Sequence, residues 1–106
     1  MDILAKKEYY INLFDFYGDL LTEKQRQYFK DYYFDDASLA EIATVYGVSR
    51  NAIFDQLQKI YRILEEYESK LGLYKKFQQY TAIYEEYKNS SNPEVIAIIK
   101  KMKSIE

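Results

Sequence analysis

The stretch from Ser38 to Leu57 limits what this chain can become more than any other. Ser38-Leu39-Ala40-Glu41 is a capping box, in which Ser and Glu side chains satisfy each other's end amides. It opens a brief helix to Tyr46 whose inward stripe is Leu39, Ile42, Ala43 and Tyr46. Gly47-Val48 makes a tight turn, with Gly47 able to adopt positive φ, and Ser49 caps the next helix. Ala43 is small enough for a steep, close helix crossing, and Val48, Ile53 and Leu57 supply an apolar plug beneath the second helix. Those are the requirements of a helix-turn-helix. An ordinary helical hairpin with the same punctuation is the blander reading.

The rest of the chain continues the helical rhythm. A first helix, about Lys6 to Tyr17, aligns Tyr10, Leu13, Phe14 and Tyr17, and Gly18 follows as a left-handed stop. Thr22 and Gln25 form another capping box, opening a helix to about Phe34 with Tyr28, Phe29 and Tyr32 inward. Asp35-Asp36-Ala37 connects it to the motif. The helix capped by Ser49 carries Ile53, Leu57, Ile60, Leu64, Tyr67 and Leu71, and Gly72 ends it. A fifth helix repeats the stripe with Leu73, Phe77, Tyr80, Tyr84 and Tyr87. Asn92-Pro93 opens a sixth, with Val95, Ile96, Ile99 and Met102 on one side. No strand-like alternation and no internal repeat appears. The expected class is all-α: a six-helix bundle forming a single domain over 1–106, with its helix-turn-helix core at about 22–64 and a helical extension at about 65–106. The stripes of the fourth and fifth helices suit either an antiparallel hairpin within one chain or a seam between two chains, and a homodimer is expected.

Composition removes several function classes. The chain has no cysteine and no histidine, so there is no thiolate chemistry, no disulfide framework and none of the commonest general base or metal ligand. All three glycines end helices, which leaves no phosphate-cradling loop. Asp35-Asp36 and Glu65-Glu66 are adjacent pairs that diverge rather than converge. The expectation is a protein that is not an enzyme, with no cofactor, no metal and no small-molecule substrate. No stretch reaches the ~18 apolar residues of a membrane span, and the first residues lack a charged-then-apolar leader, so no membrane insertion and a cytoplasmic location are expected.

If the motif meets DNA, its second helix enters the major groove with its leading residues against the bases. With Ile53 and Leu57 inward, Ser49, Arg50, Asn51, Phe54 and Gln58 lead outward, and Lys59 and Arg62 follow for backbone contacts. Arg50 suits guanine or phosphate, Asn51 suits adenine and Phe54 suits a thymine methyl, while Ser49 and the end amides suit a phosphate. Against this stands the charge. The whole chain is −2, and residues 38–62 hold Arg50, Lys59 and Arg62 against Glu41 and Asp55, a net of +1. Glu65, Glu66 and Glu68 come next and would repel a phosphate backbone. Duplex contact and a motif used for protein contact or scaffolding both stay open on these counts. The 13 tyrosines sit mostly on inward stripes and read as core rather than base-stacking platforms. Lys100, Lys101 and Lys103 read as a solvated helix face.

Leu21-Thr-Glu-Lys-Gln-Arg26, Tyr32-Tyr-Phe34 and Ser38-Leu-Ala-Glu-Ile-Ala43 followed by Gly47-Val-Ser-Arg50 resemble the fourth region of bacterial sigma factors, over about residues 21–64. That region is a helix-turn-helix that reads promoter DNA. The longer run through Leu64-Glu-Glu-Tyr-Glu68 and Lys70-Leu-Gly-Leu-Tyr74 is similar to the YlxM proteins of Gram-positive bacteria, across essentially the whole chain. That resemblance implies a six-helix protein resembling sigma factor region 4, encoded beside the genes for Ffh and its receptor FtsY. It implies an accessory or regulatory role in the signal recognition particle pathway, with DNA, Ffh or the particle's RNA as partner. The alternative is a DNA-binding transcriptional regulator built on the same motif.

Overall fold

Five side chains that precede helices decide where those helices start. In the computed structural model, which describes residues 2–106, Asp2 Oδ1 accepts from Ala5 N at 2.7 Å and opens α1 at Ile3–Tyr17. The helix thus begins three residues before the expected Lys6, because the acidic cap lies further upstream. Thr22 and Gln25 close both bonds of their box, at 3.1 and 3.0 Å, to start α2 (Glu23–Tyr33). Ser38 and Glu41 do the same at 3.0 Å each for α3 (Leu39–Tyr46). Ser49 caps α4 (Arg50–Leu71), and Asn92 caps α6 (Pro93–Lys103). Between them α5 covers Leu73–Tyr87. The described residues hold six α-helices and no strand, so the chain is all-α as expected.

Gly47 and Gly72 end their helices at φ 67° and 61°, the left-handed conformation that favours glycine. Gly18 does not. Its φ is −57°, and the chain runs on through a 3-10 turn at Gly18–Leu20. A Cβ there would lie 3.1 Å from the Phe14 ring, which would have to give by a few tenths of an ångström to accept it.

By its contacts the chain divides into two compact units, Met1–Gly72 and Leu73–Glu106. In the first, α4 is the spine against which α1, α2 and α3 all pack. Leu13, Tyr17, Phe29, Ile42, Ile53, Ile60 and Leu64 are fully buried. Aromatic rings fill much of the remainder: Phe14 stacks on Phe29 at 4.3 Å between centroids, Phe29 on Tyr33 at 4.4 Å and Tyr10 on Tyr61 at 4.3 Å. The inward residue of α2 is therefore Tyr33, not the expected Tyr32, which is exposed. Tyr33 lies one helical turn from Phe29, on the side facing α4, where its hydroxyl meets that of Tyr61 at 2.6 Å.

Val48 was expected in the plug and is instead exposed. Its contribution is its amide. Val48 N donates to Ala43 O at 3.1 Å and Gly47 N donates to Thr44 O at 3.4 Å, the paired bonds of a Schellman motif. That geometry closes α3 and directs the Val48 side chain away from the core. The plug consists of Ile42, Ala43, Ile53 and Leu57, while Leu39 and Tyr46 are half-buried.

The second unit is different in kind. Neither α5 nor α6 contains a buried residue, although both carry apolar stripes expected to face inward. Tyr84, Val95 and Ile99 are half-buried; Leu73, Phe77, Tyr80, Tyr87, Ile96 and Met102 are exposed. Two short helices cannot enclose two apolar faces by themselves. Among the described residues no helix is long and apolar enough to cross a membrane.

Candidate nucleic-acid interface

The geometry of the motif follows from α3, its left-handed stop and the buried stripe of α4. Ile53, Leu57 and Ile60 sit at no more than 3% exposure, which anchors α4 rotationally. The opposite side must then face solvent, because an α-helix turns about 100° per residue. Arg50, Asn51, Phe54, Asp55, Lys59 and Arg62 are all exposed, and Gln58 is half-buried. Ser49 stands at the leading end, where its Oγ accepts from Ala52 N at 3.1 Å. Its Oγ thus accepts in the cap, while its O–H keeps its capacity to donate.

The seven expected contact residues do not form one uniform face. Arg50, Phe54 and Gln58 line a cleft of about 630 Å3 that also receives Lys6 and Lys7 from α1 and Tyr61 from further along α4. Asn51, Lys59 and Arg62 do not line it. Lys6 and Lys7 were not anticipated. Both already fell at the start of the expected first helix, so no local signal in the sequence marked them. Their placement beside α4 is tertiary. Lys7 Nζ lies 3.7 Å from Asp36 Oδ1, with both groups well exposed, so the pair contributes little stability.

The acidic stretch after Arg62 also reads differently in three dimensions. Tyr10 Oη donates to Glu65 Oε1 at 3.4 Å, and Tyr17 Oη donates to Glu68 Oε1 at 2.6 Å. Glu66 pairs with Lys70 at 3.0 Å. Glu65 and Glu68 therefore fasten α1 to α4. Burial, followed by the charge of Glu65, pushes the Tyr9 hydroxyl up to about 12 and raises that of Tyr10. Burial and the hydrogen bond to Tyr33 raise Tyr61 as well. The phenols stay protonated at neutral pH and remain donors to these carboxylates. Among the described residues no group of three or more Asp or Glu could hold a metal ion.

The comparisons with known proteins agree with this architecture. A family model, UPF0122, described as "Putative helix-turn-helix protein, YlxM / p13 like", matches residues 4–105. A UPF0122 protein of Halalkalibacterium halodurans is 42% identical over 99 residues, covering 89% of this chain and 91% of the relative. One from Bacillus licheniformis is 44% identical over 96 residues, covering 89% and 90%. A third, from Listeria welshimeri, is 43% identical over 100 residues, covering 89% and 91%.

Proposed function

This chain belongs to the UPF0122 family of YlxM / p13-like helix-turn-helix proteins, and from that membership we propose that it is a non-enzymatic, cytoplasmic accessory or regulatory protein that binds nucleic acid through α4. One observation carries the reading. The leading turns of α4 present Arg50, Asn51 and Phe54 to solvent on a helix held from behind by Ile53 and Leu57. That is the posture from which a recognition helix meets base edges. Lys6 and Lys7 line the same cleft as Arg50 together with Asp36, which pairs with Lys7, so they add one uncompensated cation to the net of +1 carried by residues 38–62. The acidic run keeps most of its charge, since the phenols that donate to Glu65 and Glu68 are neutral, and the ion pair in it is that of Glu66 with Lys70.

The setting that the family resemblance supplies is the signal recognition particle pathway. A pull-down from cell extract, with and without nuclease, tests it. Ffh or the particle's RNA is expected in the eluate, and an eluate free of both overturns that setting. A transcriptional regulator acting on operator DNA is the second reading, favoured by the pairing of Arg50 with Asn51 at the groove-entering end. It predicts nuclease-sensitive chromosomal fragments in the same eluate.

Binding itself separates by residue. Arg50→Ala with Asn51→Ala is expected to abolish discrimination between duplex sequences, since each bidentate base contact is worth about 1–3 kcal/mol. Lys6→Ala with Lys7→Ala should weaken all sequences alike and flatten the salt dependence, by about 0.9 in log–log slope per lost phosphate contact. Fluorescence anisotropy over a salt series measures both. If neither pair changes binding, α4 is not the contact helix.

A further inference from the structure

We propose that the apolar groove between α5 and α6 is the seat of a second copy of this chain, paired about a two-fold axis. The groove has a volume of about 540 Å3 and is lined by Tyr80, Ile83, Tyr87, Ile98, Met102 and Ile105. All six are between 45% and 86% exposed. They belong to helices of 15 and 11 residues, at or below the length at which an isolated helix holds together in water. A unit of this kind, with no buried residue, does not offset the entropy of its own ordering. A covering surface resolves that deficit, and a second copy of the chain can supply one.

Charge selects the same occupant. α5 begins with Lys75-Lys76 and ends with Glu85-Glu86; α6 has Glu94 in its first turn and Lys100, Lys101 and Lys103 in its last. Lys88 pairs with Glu85 and Glu106 with Lys103, and each end keeps its sign after those pairs are counted. An antiparallel copy sets every basic end beside an acidic one, whereas a parallel copy sets like against like. Two-fold pairing is antiparallel for any helix lying across the axis, and it closes the assembly at two. The area is also sufficient. Six half-exposed large side chains present on the order of 500 Å2 per copy, so pairing buries about 1,000 Å2, the lower bound for a specific interface.

Sedimentation equilibrium of the full chain tests this. The expected mass is twice the 12.8 kDa of one chain at micromolar concentration. Ile98→Glu places an unpaired charge in the groove and is expected to weaken association by about 100-fold or more. Val45→Glu, at a comparably exposed apolar position on α3, should leave it unchanged. Lys100→Glu with Lys101→Glu leaves the apolar lining intact and should weaken association about tenfold at low salt, the effect shrinking as salt rises. A wild-type chain that stays monomeric at 100-fold higher concentration overturns the proposal. So does an Ile98→Glu chain that pairs like wild type, or a lysine variant indifferent at low salt. None of these readings involves α4, so the nucleic-acid proposal stands or falls separately.

Discussion

Phe29→Ala is expected to unfold the first unit, or to leave it with little stability. Phe29 is fully buried, with its ring between Phe14 at 4.3 Å and Tyr33 at 4.4 Å, both stacked, and with Phe34 meeting it edge-on at 6.1 Å. Removing the ring takes away a large transfer free energy and leaves a cavity that three neighbouring rings are too stiff to fill. The cost of such a truncation is about 3–5 kcal/mol. A whole domain is stable by only about 5–15 kcal/mol, with small domains toward the lower end. At roughly 4–8 °C per kcal/mol the midpoint should fall by at least about 12 °C. Near-UV circular dichroism against temperature measures it, since tyrosine packing supplies the signal. Phe29→Leu, which keeps most of the volume, should lose far less. A Phe29→Ala protein melting within two or three degrees of wild type, as read to about that precision, would show that this stack is not the core.

Alkali should unfold the protein in a transition coupled to its tyrosines. Burial is the first cause of a raised phenol in Tyr9, Tyr10, Tyr33, Tyr46 and Tyr61. In the unfolded chain a phenol ionises near 10. Above that pH the folded state therefore holds more protons than the unfolded one, and stability falls as pH rises. The contribution is complete below pH 10 and is lost through the folded values, which for Tyr9 lie at about 12. Absorbance of tyrosinate at 295 nm and helical circular dichroism, followed together from pH 9 to 13, should show a late, cooperative part of the tyrosinate rise that coincides with the loss of helix. The 13 tyrosines titrating smoothly near 10 with helix content intact would sink the argument.

The site illustrates how far local reading reaches. Ser49, Gly47 and the Ile53–Leu57 stripe were visible because each acts within one or two turns of its own helix. From that stripe alone one deduces that Arg50, Asn51 and Lys59 point away from the core, and they do. The division of these residues between a cleft and an open face was not legible, since it depends on where α1 lies. The role of Glu65 and Glu68 in fastening α1 to α4 was not legible for the same reason: their tyrosine partners are 55 and 51 residues distant.

Sequence alone determined the helical class, the caps at Thr22, Ser38, Ser49 and Asn92, the left-handed stops at Gly47 and Gly72, and most of the buried stripe of α4. These rest on hydrogen bonds and φ preferences spanning three or four residues, which any chain carries in its residue order. Tertiary structure alone decided that Tyr33 rather than Tyr32 turns inward, and that Lys6 and Lys7 line one cleft with Arg50. Each of those outcomes depends on which surface arrives opposite, and packing between helices distant in the chain has no period from which it can be read.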